Sequence, residues 1–412
     1  LKLICALLDK SLIVVDHGGE RYRMLETIKA YARAKLEQLG EQGWIKLKHL
    51  NYFLTFAETI DEKVRGFEQL IWMEKARQEY ENLTAALEYS FTQQSRHEKG
   101  VLLGCALAWC WGLIGDFFTA RHWLGKALIL SEKFGKTSVR AKILFNAGFL
   151  SAMGMNWINP KEQQDSLEKS LEIYRELGPD FILEQTKCLM TLGYIRKRKF
   201  HDDHGLTLFD ESMEVFKALD QNWWYTWALN LSTVIHENIT PQEIRRILEE
   251  EAVLWKEIGD GLGVAIQIMD LGCMALSQGN YFEAENHFQK SLQVFREAGS
   301  KPYIFQILRY LGSTYRGMNQ YKKAEQVYSE CIQYAQDIGW DFATSIIYLG
   351  FSFIGLNTND LAKAENNLSQ CLSVSMKYTE NYHPHSFHIP ESYDLYGRIV
   401  LCIAGFASLA VQ

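Results

Sequence analysis

At 412 residues the chain exceeds what one ordinary hydrophobic core needs, and with 47% hydrophobic and 23% charged residues and only 6 prolines its composition is that of an ordered, helix-rich protein. A formal net charge of −7 gives no general electrostatic drive toward nucleic acid or an anionic membrane. The 8 cysteines form no Cys-x-x-Cys pair and read as small buried thiols, a pattern that fits a reducing cytosol.

Residues 1–40 stand apart from the rest. Leu3 to Leu8 reads as the end of a helix, too short and too soon interrupted at Asp9-Lys10 to span a membrane. Ser11 to Val15 and Arg21 to Leu25 read as two strands around an Asp16-His17-Gly18-Gly19 turn, a small β-hairpin. Thr27 is placed to cap a helix that runs to about Leu39, with Gly40 as its stop. Helix, hairpin and helix make up the back half of a winged-helix module. Residues 41–97 form a helical junction of two or three helices, in which Asn82 is placed as an N-cap ahead of an apolar stripe of Leu83, Ala86 and Leu87.

From residue 98 to 412 the chain repeats itself. Ala284, Ala324 and Ala364 fall 40 residues apart. Four residues after each come Phe288, Tyr328 and Leu368, and three further on Ser291, Cys331 and Cys371. A Leu-Gly pair precedes each set, at Gly272, Gly312 and Gly350. The small slot extends back through Glu251, Ser212, Ser170 and Ala127, giving about seven units of two amphipathic helices each. A fixed period in this range means a stacked array in which each unit packs on its neighbours. The expected fold is therefore an all-α, right-handed α-α superhelix, or solenoid. Gly and Ala let helix backbones approach, and the aromatic residue one turn on fills the gap between successive pairs. The array ends in an apolar stretch, Leu401 to Val411, without a polar cap, so a piece of a longer chain is expected.

Two resemblances follow. Leu271-Gly272, Tyr281, Ala284 and Phe288, with their copies 40 residues on, resemble the tetratricopeptide repeat (TPR) in the extended form of MalT-like sensor regions, although the Pro of that repeat is missing. Leu7 to Leu12, Arg21 to Ile28 and Tyr31-Ala32, with the segment from Trp72 to Leu87, resemble the winged helix and junction of bacterial STAND (NB-ARC-like, AfsR-like) signalling ATPases. The resemblance implies a sensor whose repeats bind a protein or small ligand in the superhelix groove, and a winged helix that relays this to a nucleotide switch in cis. No Gly-x-x-x-x-Gly-Lys-[Ser/Thr] occurs in this chain. Any ATPase would lie upstream, and no cofactor is expected here.

Candidate sites are few. Trp223, Trp224 and Trp227 put one indole face toward a core and leave another free to serve as an aromatic anchor on the concave surface, and Trp109 and Trp111 pose the same question. His383, His385 and His388 have a spacing a metal could use, but the Pro-broken stretch reads as an inter-repeat loop. His201-Asp202-Asp203-His204 reads as a turn, and Arg196 to Lys199 as a solvated basic run at a helix end. No catalytic constellation is recognisable. The sequence therefore favours a non-catalytic sensor and interaction region of a signalling protein. A free-standing scaffold and a DNA-binding regulator that uses its winged helix are the alternatives.

Overall fold

The computed structural model describes residues 2–15, 21–155, 158–236 and 239–379; the three histidines at 383, 385 and 388 lie outside them. The chain opens with α1 (Lys2–Asp9), β1 (Ile13–Val15), β2 (Tyr22–Met24) and α2 (Glu26–Gln38). The strands pair antiparallel, Val14 opposite Arg23. Neither α1 nor α2 buries a residue. Leu25, not Thr27, stands at the cap position of α2, with no side-chain hydrogen bond.

The junction comprises α3 (Gln42–Lys63), α4 (Gln69–Gln78) and α5 (Tyr80–Ser90). Asn82 lies inside α5 rather than ahead of it. Its amide donates to Glu79 Oε2 at 2.6 Å, and Glu79 also accepts from Arg21 at 2.9 Å, so one carboxylate ties the hairpin to the junction.

Seven helix pairs follow among the described residues: α6/α7 (His97–Ile114, Phe117–Ser131), α8/α9 (Ser138–Leu150, Pro160–Leu177), α10/α11 (Ile182–Phe200, His204–Ala218), α12/α13 (Asn222–Ile235, Pro241–Ile258), α14/α15 (Gly261–Ser277, Tyr281–Ala298), α16/α17 (Lys301–Gly317, Tyr321–Asp337) and α18/α19 (Thr344–Asn357, Leu361–Thr379). The chain is a TPR-like helical solenoid. Its period is written in the backbone as well as in the side chains. The turns within the last three pairs each hold one left-handed residue, Gly279, Asn319 and Asn359, with φ of 75°, 59° and 58°. Asparagine is among the few side chains that tolerate this region, which is why it can stand in for glycine here.

Packing within and between pairs follows the small-and-aromatic grammar. A Cβ on Gly272 would meet the Phe288 ring at 2.7 Å, and one on Gly312 would meet the Tyr328 ring at 2.1 Å. Gly350 does not repeat this within its own pair. It faces Tyr328 of the pair before, at 2.6 Å, while Gly355 lies against Ala364. Tyr328 is thus clasped between Gly312 and Gly350, and Ala284, Ala324 and Ala364 are fully buried. The small slot also has a chemical reason. Ser170 donates to the Ala141 carbonyl, Ser291 to Ala265 and Cys331 to Phe305, so the second helix of a pair hydrogen-bonds the first. Glu251 occupies the same slot in the fourth pair and is fully buried.

The array is closed rather than open. The junction reaches across to the fifth pair and the turns at either end of it. Gln69 accepts from the Leu262 N–H at 3.0 Å and donates to the Val64 carbonyl at 2.8 Å. Arg77 donates to the Ala298 carbonyl, and the Phe67 ring stands where a side chain on Gly259 would be. One turn of the array further, Ser300 donates to the Leu113 carbonyl and Phe117 stacks on Trp340 at 5.5 Å.

Candidate functional site

The first helices of the first four pairs, α6, α8, α10 and α12, face a chamber of about 280 Å³, and the end of α3 with the residues that follow it also lines the chamber. Its walls are aromatic because those helices carry Trp109, Phe145, Phe149 and Trp224 inward. Phe149 stacks on Phe145 at 5.2 Å and on Trp109 at 5.9 Å, and meets the Trp224 ring edge-on at 5.7 Å.

Charge lines the same space: Asp61, Arg65, Lys142, Glu184 and Lys187. Arg65 pairs with Asp61 at 2.9 Å and lies over the rings of Trp223 and Trp109, at 5.2 and 5.5 Å. Its Nε, like the Trp109 indole N–H, is a buried donor with no acceptor. Lys187 lies 3.7 Å from Glu184 and 5.0 Å from the centre of the Trp224 ring. Burial lowers the Lys187 pKa, with the nearby Glu184 opposing this. No ion pair holds Lys142 among the described residues. Three cations thus face two anions around one aromatic chamber. The one thiol on the wall, Cys105, is pushed up to about 12 by burial and stays protonated, so it is not a thiolate nucleophile.

Of the sequence candidates, Trp109 and Trp224 line the chamber. Trp223 and Trp227 form the layer behind, stacked on each other at 5.7 Å and each edge-on to Trp109. Trp223 N–H donates to Asp260 at 2.8 Å. Trp111 is buried on α6 and does not line the chamber. None of the five is an exposed anchor on an open concave surface: Trp109, Trp111, Trp224 and Trp227 are buried and Trp223 is half-buried. Sequence reasoning missed Asp61, Arg65, Lys142, Glu184 and Lys187. These are single charges on helices with ordinary surface patterns; Asp61 with Arg65 and Glu184 with Lys187 are local neighbours, and the packing of α3 and of the first helices of neighbouring pairs brings the two sets to one space.

The basic run is also not a solvated face. Arg196 pairs with Glu168 at 3.0 Å and Lys197 is buried against Asp203 at 2.7 Å. Burial, then the neighbouring Arg198, pushes Lys199 down to about 8. His201 to His204 does form a turn, in which Asp202 accepts from the His204 N–H. No group of three metal-ligating side chains occurs among the described residues, and no helix among them is long and apolar enough to cross a membrane.

Comparison with known proteins supports the fold. Residues 264–337, which span α14 to α17, match the tetratricopeptide repeat family. The chain is 24% identical over 391 aligned residues to proteins of Mycobacterium bovis and Mycobacterium tuberculosis that are assigned by name to the HTH-type transcriptional regulators. The match covers 88% of this chain and 41% of theirs, so the chain spans about two-fifths of the length of these curated relatives. A Signal Transduction ATPase with Numerous Domains protein with a tetratricopeptide repeat sensor, from Pyrococcus horikoshii, superposes with a TM-score of 0.52 at 15% identity, covering 99% of this chain and 54% of that one.

Proposed function

We propose that this chain is the non-catalytic sensor region of a cytoplasmic signalling protein, and that its ligand enters the chamber between α6, α8, α10 and α12. One observation carries the reading. Arg65, on the chamber wall, precedes by a few residues the Phe67 and Gln69 contacts that close the array. A ligand that engages or displaces Arg65 acts directly on that closure, and closure sets the position of the hairpin through the Arg21–Glu79 pair. A ligand shifts such an equilibrium only by its difference in affinity for the two states, and the shared Arg65 supplies one. In the Pyrococcus protein a TPR sensor accompanies a signal-transduction ATPase. By analogy, this chain would report to a nucleotide switch in cis. The Arg21–Glu79 pair also favours an internal role for the hairpin over direct phosphate contact, which weighs against the DNA-binding alternative.

The test uses a small-molecule extract. Leu102, half-buried on the chamber wall, is replaced by Trp to fill the space. A fraction that raises the Tm of the parent and not of folded Leu102→Trp supports the reading. An equal shift in both proteins, or no shift with any fraction, overturns it.

A further inference from the structure

Resting on that reading, we propose that the chamber takes a small monocarboxylate that carries one aromatic ring, with the ring among Phe145, Phe149 and Trp224 and the carboxylate toward Lys142 and Lys187.

Four observations converge on this class. Size comes first: about 280 Å³ lies just below the range of about 300–1,000 Å³ usual for small-molecule sites, which is too little for a folded partner or a long peptide. The shape of the wall comes second. Phe149 stacks on Phe145 and on Trp109 while Trp224 stands edge-on, so stacked and perpendicular ring surfaces are both on offer and a planar guest gains from each.

Charge comes third. Arg65 is balanced by Asp61 and Lys187 by Glu184, which leaves Lys142 as the cation without a counter-charge. Lys142 is half-buried on a wall of mixed polarity, and one negative charge on the guest gives it the counter-charge it lacks. A monoanion balances the chamber, whereas a phosphate monoester brings up to two negative charges and would reverse the imbalance. A cationic guest would add to the excess. Donors come fourth. Arg65 Nε and Trp109 Nε1, in residues of this wall, are buried donors without acceptors; both atoms are covered, so they make the surroundings short of acceptors rather than meet the guest.

The proposal is tested by calorimetric titration of the 412-residue chain with 3-phenylpropanoate, its neutral amide, phenethylamine, phenyl phosphate and acetate. The expected result is one site for 3-phenylpropanoate, at least tenfold tighter than for the amide, with no binding of the amine or of acetate. Lys142→Gln is expected to weaken the acid at least tenfold, Lys142→Arg to restore most of it, and Leu102→Trp to abolish it. If the amide or the amine binds as well as the acid, and Leu102→Trp abolishes that binding, the charge assignment is overturned while the chamber remains a ligand site. Tighter binding of phenyl phosphate overturns the carboxylate. Undiminished binding to folded Leu102→Trp places the site elsewhere and overturns the proposal, as does the absence of binding by every probe. In that last case the extract experiment still stands or falls by itself.

Discussion

Arg65 holds its guanidinium over Trp223, 5.2 Å from the ring centre, from a position that no repeat contains. The residue belongs to the stretch after α3, and Trp223 opens the fourth helix pair. The contact therefore joins the junction to the array, and Asp61 anchors the same guanidinium from below at 2.9 Å. Replacing Arg65 with Met keeps the stem but leaves the Asp61 carboxylate without its partner. Both side chains keep some solvent access, so the cost falls below that of a fully buried pair, at about 1–3 kcal/mol by urea unfolding. Arg65→Lys should recover only part of this, since an ammonium does not lie flat on an indole. In a double-mutant cycle, Asp61→Asn should cost much less in the Arg65→Met background than in the parent. Additive losses would show that the pair is not coupled.

Gly312 and Tyr328 test the register of the array. A methyl group on Gly312 would fall 2.1 Å from the Tyr328 ring, which Gly350 confines from the other side. The ring cannot swing away without striking the next pair. Gly312→Ala should therefore destabilise by about 1–3 kcal/mol, despite the better helix propensity of Ala, and Ala324→Phe should do the same. Gly261, at the start of α14, has nothing within 4 Å of its would-be Cβ and is the control. Gly261→Ala should be neutral or slightly stabilising. Equal thermal shifts for Gly312→Ala and Gly261→Ala would mean that the clasp around Tyr328 is loose.

What could be read from the sequence was what repeats. Ala284, Ala324 and Ala364 are visible as a period because each solves the same local problem, close approach of two backbones, and the all-α solenoid follows from that alone. Gly350 also packs a repeat aromatic, but it lies 38 residues after Gly312 rather than 40, and the ring it admits is that of the preceding pair. The chamber was legible only in part. Trp109 and Trp224 could be singled out as large aromatic residues on helices. Their burial could not be foreseen, because it rests on contacts between separate helices, such as Trp109 with Trp223 and Phe149 with Trp224. Periodicity within a helix carries no record of contacts at that separation. Lys142 and Lys187 look like any other surface lysines until the first helices of neighbouring pairs pack around them.

Glu251 departs from the Ser and Cys of its slot, and a pH dependence follows. Its carboxyl is fully buried, accepts from Asn230 at 3.3 Å, and shares that amide with Asp270, which accepts at 2.8 Å. Burial first, and the negative charge of Asp270 second, raise its pKa well above the ordinary 4.5. A folded-state pKa above the unfolded value means that the native protein holds the proton more tightly. The contribution to stability is fully present below about pH 4.5 and is lost as pH rises toward and through the raised value. Glu251→Gln imitates the protonated form at every pH. It should match the parent in acid and exceed it in stability at neutral and alkaline pH, as read from urea midpoints across that range. A parent and variant that run parallel over the whole range would show that Glu251 does not titrate differently on folding.

The closure itself can be opened. Gln69 is buried, and removing its amide takes away the bond that the Leu262 N–H makes across the closure. Losing one such hydrogen bond costs about 0.5–1.5 kcal/mol, and Arg77→Ala removes the second tie, at the Ala298 carbonyl. The pairs themselves keep their own packing, since α14 on α15 and α16 on α17 do not depend on the junction. The double variant Gln69→Ala, Arg77→Ala should therefore lose amide-exchange protection in residues 64–78 and in the turns at 258–262 and 298–302. Protection in α9 and α10 should stay unchanged, as expected when one cooperative unit opens and the rest remain folded. Uniform loss of protection would show that closure and repeat packing form a single unit, and no sensor could then use one without the other.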